Sequence, residues 1–154
     1  MKRFLERQVV FNATLRLLAF LGQRRFFNPL TRWLTVSVAQ LNLFLNNPSR
    51  AASVDDLART WKRLMPPDGQ DYFKIAAVDE NTATAEIHLH CPLRGTGNVD
   101  ACYRLMNYDR ELMKQVGGQL IVLESQSKSG KALCKLAIRK IGEDTSDLIP
   151  AHKR

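Results

Sequence analysis

The sequence predicts an α+β fold, with three N-terminal helices packed on a ββαββ antiparallel-sheet core. Two observations lead there. The hydrophobic period changes at Pro66-Pro67-Asp68-Gly69, from steps of three and four before it to alternation after it. The chain also has 154 residues, 45% apolar and 25% charged, which suits one domain with a real core rather than a disordered segment. The expected division is a helical part over 1–67, a core over 70–141 and a loose polar tail over 142–154.

The elements follow in order. Residues 3–27 read as helix, because Phe4, Val9, Phe11, Leu15, Leu18 and Leu21 recur near helical spacing with arginines between them. Asn28-Pro29 interrupts it, since the residue before proline is pushed out of the α region. A second helix is expected from about Leu30 to Leu45, with Leu30, Trp33, Leu34, Val38, Leu41, Phe44 and Leu45 as its apolar stripe. Residues 33–49 carry no charge, but they carry Thr35, Ser37, Gln40, Asn42, Asn46 and Asn47. The run is short for a membrane span of ~20 residues, so a buried central helix is expected, with a helix lying in the bilayer interface as the alternative. Ser53 is suited to cap a third helix that carries Asp55 and Asp56 in its first turn and ends near Met65. Residues 71–78 and 82–91 alternate around Asp79-Glu80-Asn81 and predict a hairpin. A fourth helix spans about Val99 to Val116 and stops at Gly117-Gly118. Residues 119–126 and 131–141 predict a second hairpin around Ser129-Gly130.

Composition narrows the setting. Cys91, Cys102 and Cys134 are an odd and low count, which argues against a secreted disulfide framework. The first residues lack a compact apolar core with a small-residue cleavage site, so no signal peptide is expected. A reducing, cytoplasmic setting follows, with the inner membrane surface as a peripheral alternative. Charge is uneven. Residues 1–50 hold eight Lys or Arg and one acid, 8 − 1 = +7, and residues 51–154 hold fifteen bases and fourteen acids, 15 − 14 = +1. This basic, aromatic front, over residues 1–35, points to a membrane surface or an acidic partner; its ordinary alternative is a solvated helix face. No nucleic-acid module is recognisable, so no specific nucleic-acid partner is expected. Pairing with a second copy of the chain stays open.

Strand alternation assigns faces. Ala83, Ala85, Ile87, Leu89 and Cys91 share one face of the second strand, and Thr82, Thr84, Glu86, His88 and His90 share the other. Ala132, Cys134, Leu136 and Ile138 form the inner face of the last strand, with Lys131, Lys135 and Arg139 outward. On the fourth helix, Cys102, Leu105, Met106, Leu112, Met113 and Val116 form the apolar stripe, and Asp109 falls on it. Three thiols and one carboxylate are therefore expected to look inward from different elements. The ordinary alternative for each cysteine is a small buried hydrophobe. For Asp109 it is an ion pair with Arg110, Arg104 or Arg94; a buried acid would instead mark a functional group.

Other chemistries are weaker. His88 and His90 share a face in the run HLHCP, but Cys91 points away from them, and no CxxC pair anchors zinc. A cluster of Cys91, Cys102 and Cys134 stays geometrically open, yet no metal or cofactor is expected. The same faces set the histidines apart from Cys91 as a catalytic pair. The stretch RGTGN lacks the spacing of a phosphate loop, although its backbone N–H groups and the start of the fourth helix could meet an anion.

The stretch from Cys91 to Ile138 resembles two related families. Cys102-Tyr103 at a helix start, Gly117-Gly118 after it, Glu124 on a strand, and Gly130 with Cys134 resemble the 4-vinyl-reductase type of small-molecule-binding domain. Cys91-Pro92, the helix bearing Cys102 and Asp109, and the hairpin from Gly130 to Cys134 resemble the L-2-amino-thiazoline-4-carboxylic acid hydrolase-like family. The chain departs from the first pattern at Ser127, where a second cysteine is usual, and from the second at Lys131, where an aspartate is usual. Both resemblances imply a helical N-terminal part over a ββαββ core that encloses a ligand pocket.

The leading expectation is a small-molecule-binding domain. Its apolar or amphipathic ligand would sit between sheet and helices, against Cys91, Cys102, Asp109, Glu124 and Cys134. One alternative is a cysteine-dependent hydrolase of a small substrate, with Cys91, Cys102 and Asp109 as catalytic candidates. The other is a peripheral membrane or partner-docking protein acting through its basic helices.

Overall fold

The computed structural model describes the backbone of residues 2–154 and the side chains of 13–24, 26–67 and 69–154. The expected apolar positions Phe4, Val9 and Phe11 therefore lie outside the described side chains. The fold is α+β, with a four-stranded antiparallel sheet. Its elements are α1 (Lys2–Gln23), α2 (Asn28–Asn46), α3 (Val54–Leu64), β1 (Phe73–Val78), β2 (Ala83–Ile87), α4 (Val99–Leu105), α5 (Asn107–Gln115), β3 (Gly118–Glu124) and β4 (Cys134–Lys140).

The sheet order is β1-β2-β4-β3. β4 pairs with both β2 and β3, so the two expected hairpins join through β2 and β4, with Ala85 opposite Leu136 and Ile87 opposite Cys134. One face of the sheet meets the helices. Ala83, Ala85, Ile87, Cys134, Leu136 and Ile138 are buried there, as alternation predicts. α3 covers β1, β2 and β4, while α5 lies against β3. Its Ser53 cap accepts a hydrogen bond from Asp56 N at 3.1 Å, and Val54, Leu57, Ala58, Trp61 and Leu64 form its buried face. Trp61 meets Phe73 edge to face, with ring centroids 5.6 Å apart. α1 and α2 form an outer layer, α1 against α4 and α2 against α5.

Several expectations need correction. The fourth helix is two helices, broken at Met106. β2 ends at Ile87 and β4 begins only at Cys134, so the second hairpin is joined by a long loop over 125–133 and Ala132 is exposed rather than inner. Pro29 does not delay α2; it sits in that helix's first turn, where its missing N–H costs nothing. α2 ends at Asn47, whose left-handed conformation (φ 40°) lets its N–H bond to Leu43 O at 2.7 Å.

The largest correction concerns which face of α2 is inside. Thr31, Thr35 and Ala39 are its buried residues. Leu30, Trp33, Val38, Leu41, Phe44 and Leu45, expected in the core, are exposed. The buried hydroxyls are satisfied within the helix: Thr31 Oγ1 donates to Phe27 O at 2.9 Å and Thr35 Oγ1 to Thr31 O at 2.8 Å. Asn42 Nδ2 donates to Leu64 O at 3.0 Å and to the Tyr108 hydroxyl at 2.7 Å, tying α2 to α3 and α5. Among the described residues, no helix is long and apolar enough to cross a membrane.

The tail expected to be loose packs back on the domain. Arg139 grips both carboxylate oxygens of Asp147 at 2.7 Å, Ala151 is buried, and His152 stacks on Tyr103 with centroids 3.9 Å apart.

Helix α3 comes close to the sheet at Gly118. A Cβ there would stand 2.8 Å from Leu57 Cδ2 and 3.4 Å from Arg139 O, and Leu57 is itself in the core. Gly118→Ala is expected to cost about 1–3 kcal/mol through overpacking, read as a lower urea midpoint with unchanged slope. An unchanged midpoint would show that Leu57 has room to turn away.

Candidate functional site

Three short segments meet at one end of the sheet. The first is the loop after β2, which carries Cys91. The second is α4, whose Asn98 cap accepts from Ala101 N at 2.9 Å and which presents Cys102 inward. The third is the segment Ser125-Gln126-Ser127 after β3, whose residues are only 1–2% exposed. Cys134, the first residue of β4, completes the cluster.

Gln126 binds these segments together. Its Nε2 donates to Leu89 O at 2.9 Å and Ile87 O at 3.3 Å, and its Oε1 accepts from Cys91 N at 3.4 Å. Its backbone N–H points at Cys134 Sγ at 3.4 Å. A side-chain amide thus takes over main-chain hydrogen bonding just beyond Ile87, the last residue of β2. The stretch from Gly95 to Gly97 bonds to the same segment, Gly95 N to Gln126 O at 2.9 Å and Gly97 N to Ser127 O at 2.7 Å. Both glycines have positive φ, 69° and 73°. The N–H groups expected to meet an anion are therefore spent inside the protein.

All three cysteines are free thiols. Cys102 and Cys134 lie beside each other, and Ser125 is next to Cys102. The Cys134 contact lowers the Cys102 pKa below the ordinary thiol value; Ser125 and the Arg110 charge act the same way, against burial. The same contact, together with burial, raises the Cys134 pKa. Burial raises that of Cys91, partly offset by Leu93 N, which points at its sulfur from 3.5 Å. The two thiols share one ionisation: the thiol of one stabilises the thiolate of the other, and Ser125 and the Arg110 charge favour that thiolate on Cys102.

Ser125 Oγ lies 2.7 Å from Ser127 Oγ, and Ser125 also lines a cleft of about 110 Å³ with Val99, Leu123, Glu124, Lys128, Lys131, Ala151 and Arg154. Glu124 is on the wall of this cleft. Its carboxylate pairs with Lys131 at 2.6 Å and Lys135 at 3.7 Å, which lowers its pKa.

The structure brings Cys91, Cys102 and Cys134 together and sets Asp109 apart. Asp109 is buried and accepts a hydrogen bond from Trp61 Nε1 at 2.9 Å. The expected pairing with Arg104 or Arg94 does not form: Arg104 Nε donates to Gly22 O at 2.8 Å, and Arg94 is exposed. The volume between sheet and helices, expected to hold a pocket, is filled by Trp61, Leu57, Leu112, Met113, Leu136 and Ile138. His88 and His90 lie beyond the end of β2 and are exposed, with His88 Nε2 2.9 Å from Glu86. Among the described residues, no three His, Cys, Asp or Glu side chains are placed to hold a metal ion. Sequence reasoning missed Ser125, Gln126 and Ser127. The sequence places Ser125 and Gln126 at the end of an expected strand and Ser127 in the turn after it, and only long-range pairing shows that all three are interior.

Burial raises the Asp109 carboxyl to about 6, against the Trp61 hydrogen bond and the Arg110 charge. In an unfolded chain it would titrate near ~3.9. The folded state holds the proton more tightly, so this contribution to stability is complete below about pH 4 and is lost as pH rises through about 6. Asn keeps the acceptor for Trp61 without the charge. Asp109→Asn is therefore expected to be more stable than the parent above pH 7 by about 1–2 kcal/mol and to lose that advantage at pH 4. Denaturant titrations at both pH values measure this, and a variant weaker at both would contradict it.

This chain matches no protein-family model, no curated protein and no solved structure.

Proposed function

We propose that the protein binds a small molecule at the thiol cluster, with Cys102 as the group that meets the ligand. One observation carries the reading. Ser125, a neighbour of Cys102, also lines an open cleft, so one side chain stands between the cleft and the thiol. The cleft volume of about 110 Å³ is well below that of pockets for drug-sized ligands, and it suits a ligand, or the end of one, with few non-hydrogen atoms. Lys128, Lys131 and Arg154 stand around it against Glu124 alone. The favoured ligand end is therefore polar and negatively charged.

A second reading, a cysteine nucleophile acting on a small electrophile, is favoured by the lowered pKa of Cys102. Its activation would come from Cys134, Ser125 and Arg110, because no histidine is among the groups acting on any of the three thiols.

Alkylation of the native protein, mapped by mass spectrometry, tests the site. Cys102 is expected to label about tenfold faster than Cys91 or Cys134 near neutral pH. Anionic iodoacetate should gain relative to neutral iodoacetamide, and Lys128→Gln combined with Lys131→Gln should remove that gain. Cys134→Ala should move the pH midpoint of Cys102 labelling upward by removing the neighbouring thiol that most favours its thiolate. Three uniformly slow thiols would end both readings.

A further inference from the structure

The outer layer carries a feature that the thiol site does not use. On α2, Leu30, Trp33, Leu41, Phe44 and Leu45 recur at helical spacing and lie on the side opposite Thr31, Thr35 and Ala39. Trp33 is 64% exposed, Phe44 81% and Leu45 70%. Single exposed apolar residues are ordinary. A stripe from Leu30 to Leu45, about 22 Å long at ~1.5 Å per residue, is not, and such stripes mark contact surfaces. The segment before α2 adds exposed aromatics: Phe26 is 89% exposed and Phe20 on α1 54%, with the Arg24 guanidinium 5.5 Å over the Phe20 ring.

We propose that the α1–α2 hairpin rests in the headgroup region of an anionic lipid bilayer, with the α2 stripe turned into the upper acyl layer. Charge selects this occupant. Residues 1–50 carry eight bases and one acid, so they hold +7 of the net +8. A second copy of the chain would bring an equally basic front against this one, whereas an anionic surface offsets it. The residue types fit as well. Trp and Phe favour the interface, and arginines can extend their apolar stems along it while the charge stays among phosphates. Spanning is ruled out for the described helices by their length and hydropathy. The polar side of α2 is also already engaged within the protein, through Thr31, Thr35 and Asn42. A helix lying flat, apolar side down and polar side on its own domain, meets all of these constraints.

Vesicle co-sedimentation of the whole chain, read with tryptophan fluorescence, tests the proposal. Trp61 is 0% exposed, so a change in emission reports Trp33. The protein should sediment with vesicles of phosphatidylcholine containing phosphatidylglycerol and remain in solution with phosphatidylcholine alone. Its emission should shift to the blue on binding, and high salt should weaken the binding. Trp33→Ser combined with Phe44→Ser should reduce binding by about tenfold or more while leaving the circular dichroism spectrum unchanged, since both side chains are largely exposed. No sedimentation with anionic vesicles would overturn the proposal. So would salt-sensitive sedimentation with unshifted emission, which would mean charge contact without insertion. A dimer in analytical ultracentrifugation that the same double variant dissociates, without vesicle binding, would assign the stripe to a second copy instead.

Discussion

Gln126 is a fully buried amide at a point where the sheet gives out, and the arrangement of the thiols rests on its hydrogen bonds. Past Ile87 the strand has no neighbour on the β4 side, because β4 begins opposite that residue. The Gln126 side chain fills the gap, bonding to Ile87 O, Leu89 O and Cys91 N. Its main chain holds the glycine loop and points at Cys134. A buried donor or acceptor left without a partner costs about 1–3 kcal/mol, so these bonds fix the loop more firmly than its surface position suggests. Cys91 and Cys134 are both positioned by this one residue, and Cys102 meets them because α4 follows directly from the loop that Gln126 restrains.

Much of this was legible in the sequence where a period was present. Alternation over 83–87 and 134–138 identified the buried sheet face residue by residue, and the helical stripe from Cys102 to Val116 placed Asp109 inside. The inward convergence of the cysteines followed from those two periods alone. Alternation did not reveal where a strand ends. Leu89 and Cys91 continue the pattern of β2 beyond Ile87, but their backbone partner is a side chain from a distant loop. No local signal reports that. Asp109 and Glu124 stand apart from the thiols in different ways. Asp109 was inside as expected, but its neighbour is Trp61, 48 residues earlier. Glu124 reaches the cleft wall but is held by Lys131 and Lys135.

α2 shows a different limit. Its apolar residues do form a stripe, but the stripe faces away from the core. Periodicity says which residues lie together, not which side the rest of the protein occupies. Here the domain side is taken by small residues and by threonines whose hydroxyls bond back to the helix's own carbonyls. Small side chains let helices approach closely, and internally satisfied hydroxyls remove the cost of burying them. The large apolar groups are thereby left on the outside of the protein.

The packed tail bears on how the thiol cleft operates. Ala151 and Arg154 form part of its wall. Among the described residues, no main-chain hydrogen bond joins the stretch after Glu143 to the sheet or to a helix. It is held by Arg139, which forks onto Asp147 and donates to Asp144 O, by the stack of His152 on Tyr103 and by the burial of Ala151 in the core. Displacing this wall would break those side-chain contacts but no strand pairing, whereas the opposite wall, at Leu123 and Glu124, belongs to the paired sheet.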